Sequence, residues 1–384
     1  MKKLRLSFFP LFLVLLVVFF TVSFRFWYSG MTDTKSEGGQ SVGAIPLVIY
    51  CAYLWLQRIH TRIRGVHLMC LAWALMMPFV NVMGHGVSSG YVLPLLFPML
   101  FEVTYMFAQN GAKVVRRLCR LFLLVALITT FFFLQTRNTG DEFRQTNTIF
   151  FPLLTLPWML LYKGEKRRFI ILCIFTVLIT LSLKRSSLLV MVGFWLVYFL
   201  VILKNRRNKL LPILALIGLL FLGWRAYNMA DDAMGGVLSE RINREETNTG
   251  RNRLAIYEQT EEMIDESSVD EKIIGHGHNT AKMDSPLQIS AHNEFLEILY
   301  DYGILVFILY LYFWSFVIRR CWMLYRIRSE IFFPYAVSLC IFFVMAMVSQ
   351  LVLYCSYFLY LVMFWATVEG YLKSQGLVEK RKPQ

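Results

Sequence analysis

Long apolar runs recur along this chain, and most of its charge falls in the gaps between them. A helix that crosses a bilayer needs about 17–25 mostly apolar residues. Runs of roughly that length stand at 7–24, 42–56, 66–83, 91–108, 121–135, 148–162, 169–183, 187–203, 210–224, 294–318, 331–349 and 351–371. The fifth, sixth and seventh are among the short ones. Composition agrees with this reading. Of the 384 residues, 57% are hydrophobic and 16% aromatic, only 17% are charged, and the mean hydropathy is +0.54. A water-soluble fold of this size could not hide so much apolar surface, and a disordered chain would be poor in aromatic residues. The fold class expected is all-α, a polytopic membrane bundle of about twelve transmembrane helices.

The net charge of +14 admits two readings. Basic chains bind nucleic acid through one clustered basic face. Membrane proteins instead concentrate Lys and Arg in their cytoplasmic loops. Position decides. Of 39 basic residues, 26 fall in the N-terminus, 57–65, 109–120, 163–168, 204–209, 319–330 and the C-terminal tail. The alternate segments hold 13. No nucleic-acid partner is therefore expected. Both termini are expected in the cytoplasm, with 225–293 facing outward. The start, Met1-Lys2-Lys3-Leu4-Arg5 before an apolar run, reads as an uncleaved signal anchor, because no A-x-A site follows. None of the seven cysteines lies in 225–293, and no C-x-x-C occurs, so neither a disulfide framework nor a zinc ribbon is expected. No repeat relates the two halves, which argues against repeat-built transporters.

The segment 225–293 is the one long hydrophilic stretch. Its 13 acids outnumber its 7 bases, so an anion site there must come from particular arginines. Thr247-Asn248-Thr249-Gly250 is a turn signal, and a helix should begin near Arg251. Ile274-Gly275-His276-Gly277-His278-Asn279 reads as a loop bracketed by glycines, and Ser290-Ala291-His292-Asn293-Glu294 leads into the tenth run.

Four motifs then occur in order: Lys184-Arg185-Ser186-Ser187 opening a run, Thr249-Gly250-Arg251, Ile274-Gly275-His276-Gly277, and His292-Asn293 with Leu296 and Tyr302-Gly303. This set, over roughly 170–320, resembles the O-antigen ligase and O-antigen polymerase superfamily of bacterial surface-polysaccharide enzymes. The resemblance implies metal-independent glycosyl transfer at the outer face of the bacterial cytoplasmic (inner) membrane, with no cofactor. The donor would be a glycan on undecaprenyl diphosphate. The acceptor would be lipid A–core in a ligase, or a second lipid-linked glycan in a polymerase.

The chemistry can be argued from the residues. A departing lipid diphosphate is an anion, and guanidinium groups bind phosphate bidentately while staying protonated. The sequence has no D-x-D pair to hold a divalent cation. Arg185 and Arg251 map onto the family's key arginines and are the expected diphosphate ligands, with Arg253 as the alternative to Arg251. His292 is the expected base, which calls for a neutral imidazole. Ser290 is expected to cap the helix of the tenth run. His292 would then sit in its first turn, where the dipole and nearby arginines disfavour imidazolium. His276 and His278 are expected as contacts to sugar hydroxyls. The weaker reading joins them to His292 as zinc ligands, but no metal site is expected. Glu102, an acid within the fourth run, marks either a functional cavity or a buried structural carboxyl. Trp27, Tyr28, Trp224 and Tyr227 read as interfacial belt residues.

The organisation expected is therefore helices 1–9 in 1–224, an outer loop domain over 225–293 that is partly helical and carries the catalytic motifs, and helices 10–12 with a basic tail in 294–384. The expected activity is inverting, ligase-type transfer. The alternatives are a polysaccharide polymerase and a transporter of lipid-linked glycans.

Overall fold

A computed structural model describes residues 5–30, 36–57, 92–139, 147–161, 164–182, 184–205, 253–277, 279–286, 288–348 and 355–377, with 225, 228, 231–232, 235–236 and 351 between them. The described residues form helices and turns and contain no strand. The helices are α1 (Phe9–Gly30), α2 (Ser36–Leu56), α3 (Val92–Ala108), α4 (Ala112–Thr139), α5 (Phe150–Leu160), α6 (Glu165–Ser182) and α7 (Arg185–Asn205). Then come α8 (Arg253–Glu266), α9 (Val269–Ile274), α10 (Thr280–Asp284), α11 (Glu294–Arg326), α12 (Phe332–Val348) and α13 (Cys355–Ser374).

Helices stand at ten of the twelve expected runs, and the runs at 66–83 and 210–224 lie outside the described residues. Of the expected belt residues, Trp224 and Tyr227 also lie outside them, and Trp27 and Tyr28 are described in backbone alone. By length and composition two described helices could cross a membrane, Ala112–Arg137 and Glu294–Arg326. Six further apolar stretches are shorter: Leu6–Val22, Ala44–Leu56, Leu96–Ala108, Phe150–Leu160, Ser186–Val201 and Phe332–Val348.

The packing explains why these sequences are apolar on more than one face. Helix α5 is buried almost all round, and α13 forms the centre of the bundle between α3 and α5. Gly370 lets α13 approach α3 closely, since a Cβ there would stand 2.4 Å from the carbonyl oxygen of Tyr105. Indole groups in this interior need polar partners. Trp158 donates to the Tyr360 carbonyl at 3.2 Å and Trp365 to Ser338 Oγ at 2.9 Å. The outward faces are equally apolar. On α7, Leu189, Val192, Leu196 and Leu200 follow helical spacing and are each more than half exposed. A bare apolar stripe of that kind has no stable place in water.

Polar ties gather at the two ends of the bundle. Near the C-terminal end of α11, Arg320 clamps Glu369 of α13 through two guanidinium nitrogens, with Nη2 2.6 Å from Oε2. Their side chains are only 13% and 2% exposed. Arg168 donates to the Leu160 and Glu330 carbonyls, tying the 163–168 and 319–330 segments together. The other end carries α8, α9 and α10, all packed on α11. Removing one member of a buried pair leaves an uncompensated charge, at a cost of about 3–5 kcal/mol. Glu369→Ala should therefore lower the thermal-unfolding midpoint of the detergent-purified protein. The apolar double variant Arg320→Met, Glu369→Met should recover much of that loss. Equal melting of the single and double variants would show that the pair has no such role.

Candidate functional site

The site is built on a break in α11. Gly303 has φ 70° and ψ 179°, which interrupts the helical ladder between Glu294 and Arg326. Such a break frees carbonyls of the preceding turn. Two of them are taken up by the glycine-bracketed loop: His276 N–H donates to Tyr300 O at 3.1 Å and Gly277 N–H to Asp301 O at 2.8 Å. The approach is backbone against backbone. A Cβ on Gly275 would lie 2.4 Å from Asp301 O, and one on Gly303 would lie 2.4 Å from Ile273 O. The glycines of both motifs are thus required by one contact, and Gly275 and Gly303 also hold positive φ.

Asp301, buried beside that break, anchors the next helix of the loop. Its carboxyl group accepts from Asn279 N–H at 2.7 Å, Ala281 N–H at 2.8 Å and Thr280 Oγ at 3.0 Å. The start of α10 is thereby attached to α11. The His276 ring stacks on Tyr300, with ring centroids 4.0 Å apart. Its Nδ1 lies 3.1 Å from the Tyr300 carbonyl, and its Nε2 lies 3.2 Å from Ser267 Oγ and 3.8 Å from Glu271. Because a carbonyl can only accept, Nδ1 carries a proton.

His292 stands just outside the helix, at φ 53°. The cap is Asn293, whose side chain accepts from Phe295 N–H at 3.0 Å. The expectation that Ser290 caps the helix and places His292 in its first turn is corrected. Ser290 Oγ donates instead to Glu297 Oε1, and the same oxygen accepts the His292 backbone N–H at 3.0 Å. Asn293 lies nearer the first free N–H groups and its short carbonyl fits the cap geometry. His292 is an exposed residue. The surrounding protein partly desolvates the ring. The imidazole is held below the ordinary histidine value, first by that partial desolvation and then by the charges of Arg253, Lys184 and Lys282. Desolvation, which the sequence does not display, is therefore the main cause of the downward shift of His292.

The Lys184-Arg185-Ser186-Ser187 motif stands at the start of α7, with Lys184 just before the helix. Ser187 Oγ donates to the Lys184 carbonyl at 2.7 Å, and the Lys184 ammonium lies 5.7 Å from the centre of the Phe150 ring. Arg185 opens α7, and only its backbone is described. Arg251, the turn at 247–250 and His278 lie outside the described residues. Arg253 opens α8, whose Tyr257 donates to Met347 O at 3.0 Å and so ties α8 to the end of α12. Glu102 is buried in α3, the helix packed on α2 and α13. Among the described residues, then, Lys184 before α7, Arg253 of α8 and Lys282 of α10 act electrostatically on the His292 ring. The residues singled out by motif do not include Glu297 or Asp301. With Glu294 these fall at i, i+3 and i+7 of an apolar helix, and acids in such a setting are a legible signal.

The class this defines is an all-helical protein with bare apolar faces and a cationic histidine loop clasped to one end. The family model described as O-antigen ligase matches residues 168–311. That span takes in the Lys184 turn, the glycine clasp, the His292 loop and the break at Gly303, so the resemblance read from the motifs holds over this segment. Proteins of that family are membrane-associated enzymes of the O-antigen ligase and polymerase type. No curated protein matches the chain.

The clasp makes Gly303→Ala a direct probe. The strained φ alone costs about 1–3 kcal/mol in a non-glycine residue, and the added methyl must also displace Ile273. Segment 253–292 should become sensitive to limited proteolysis in isolated membranes, while the fragments on either side stay intact. Unchanged proteolysis would mean that the contact does not hold the loop.

Proposed function

We propose that the protein is a ligase-type membrane glycosyltransferase. It would transfer a glycan from undecaprenyl diphosphate to lipid A–core or a similar acceptor, at the periplasmic face of a bacterial inner membrane. The single observation that carries this reading is His292, accessible yet held neutral, on a loop that also gathers Arg253, Lys184 and Lys282. An imidazole kept neutral can take a proton from an acceptor hydroxyl. Cations beside it can meet the charge that grows on a departing diphosphate. The transfer would be inverting: the acceptor oxygen attacks the anomeric carbon, its proton passes to His292, and the carbon–oxygen bond to the diphosphate breaks. Arg185 and Arg251 are the proposed diphosphate ligands, aided by Arg253. Glu102 and His278 are proposed to line the substrate path. His276 is proposed to shape it, since both of its ring nitrogens face partners within the protein.

The bilayer placement rests on the apolar outer faces and on charge grouping. Arg168 and Glu330, from segments with the dense basic clusters, meet at one end of the bundle. Lys184, Arg253 and His292, from the alternate segments, come together in a separate group. Cytoplasmic termini follow from the positive-inside rule. The outer unit is proposed to span 225–293 between membrane portions 1–224 and 294–384.

The test is purified protein with a defined undecaprenyl-diphosphate glycan and candidate acceptors. His292→Ala and Arg185→Ala should abolish product while the protein remains in the membrane, and near-normal turnover by His292→Ala would remove the base. Product on lipid A–core indicates a ligase, lengthened lipid-linked chains a polymerase, and translocation without a new glycosidic bond a transporter. The pH dependence has a definite sign. A lowered value keeps His292 neutral to more acidic pH, so activity should fall with a midpoint below the ordinary 6.5 and stay flat above it. A limb at or above 6.5 in the free enzyme would contradict that environment.

A further inference from the structure

We infer that Glu297 is the positioning residue for His292, holding the imidazole at a fixed bearing through the backbone of its loop. Glu297 is 2% exposed near the start of α11, a helix mostly apolar along its length. A carboxylate so far from water is costly unless it is hydrogen-bonded. Its Oε1 accepts two donors, both from the segment before the helix: Ser290 Oγ–H and the His292 backbone N–H at 3.0 Å. The helix does not need it as a cap, because Asn293 already serves. What it does fix is the conformation of His292, at φ 53°, a region that side-chain-bearing residues occupy at a cost of roughly 1–2 kcal/mol. That conformation turns the ring away from where an extended residue would send it. Arg253 of α8, Lys282 of α10 and Lys184 of the turn before α7 act on the ring there. Glu297 reaches His292 through the main chain and therefore acts through it rather than on substrate.

The inference rests on His292 as the base, and its test separates the two. Glu297→Gln keeps an oxygen in place to accept both hydrogen bonds, whereas Glu297→Ala removes the acceptor. A base displaced by about 1 Å can lose roughly a hundredfold in rate. Glu297→Ala should therefore lower kcat by about that factor with little change in donor KM, and Glu297→Gln should restore most of the rate. The acid limb of activity should move up towards pH 6.5 in Glu297→Ala, as the ring leaves its crowded setting, and not in Glu297→Gln. Carbethoxylation of His292, followed by peptide mass against pH, reads the same displacement without any turnover. If Glu297→Ala does not accumulate, Ser290→Ala removes one of the two donors outside the bundle, and should shift that profile in the same direction. A Glu297→Gln variant as slow as Glu297→Ala would assign the effect to charge and overturn the inference. So would an unmoved carbethoxylation profile in Glu297→Ala. Turnover by His292→Ala would instead remove His292 as the base, leaving the carbethoxylation result to decide whether Glu297 fixes the ring.

Discussion

The contact between the glycine loop and the break in α11 governs everything at this end of the molecule. A helix in an apolar medium must satisfy each of its carbonyls internally or find a substitute donor. The positive φ at Gly303 takes the carbonyls of Tyr300 and Asp301 out of the regular ladder, and the His276 and Gly277 amides supply the replacement. The exchange ties a hydrophilic segment to a long apolar helix at a fixed height. From that anchor Asp301 orders α10, His276 stacks on Tyr300, and Glu297 sets the conformation of His292. Loss of the clasp would leave each of these side chains without its frame, because none of them is positioned by the apolar core alone.

Helix α11 carries its buried charge at two places, and both are engaged. Glu294 accepts from Tyr310 Oη at 3.2 Å, which bridges the break from the other side. Glu297 and Asp301 accept from loop backbone and hydroxyls, and Arg320 clamps Glu369 near the opposite end. Desolvated charge is tolerated in such an interior only when paired or hydrogen-bonded. The buried carboxyl groups therefore specify where the loop docks, while dispersion and aromatic contacts among α3, α5, α12 and α13 supply the bulk of the packing.

Much of this is legible in the sequence, and the exceptions have physical causes. Apolar runs locate helices well because burial of a helix surface demands them, and ten expected runs hold helices. Their lengths are less legible. Helix α5 ends after Leu160, and α6 begins with the charged Glu165-Lys166-Arg167-Arg168, so neither presents a full-length apolar crossing. The His292 loop is visible as a motif, yet its cap is not, because Ser290 and Asn293 are both good cap residues. Only the tertiary pull of Glu297 decides between them. Glu102 stands out as an acid well inside an apolar run. The triad Glu294, Glu297 and Asp301 is legible as acids at i, i+3 and i+7 of an apolar run, but its loop partners are not. Burial cannot be read from spacing alone.

Of the cations that act on His292, Arg253 is also proposed to help hold the diphosphate, and in the proposed reaction this would couple the base to the leaving group. In the free protein Arg253, Lys184 and Lys282 oppose a proton on the imidazole. An anion bound among them cancels part of that field, since the interaction of a charge with its neighbours falls as they are compensated. In the proposed reaction the imidazole would then become a better proton acceptor once donor is in place. Desolvation by the surrounding protein, the larger cause, is unaffected and still keeps the ring from ionising in the absence of acceptor. In the proposed reaction, proton removal would thereby be timed to the complex in which a leaving group is present, and an acceptor entering alone would meet a weaker base. This ordering needs no moving part. It would follow from placing one histidine, held by its backbone, near cations that a bound diphosphate partly neutralises.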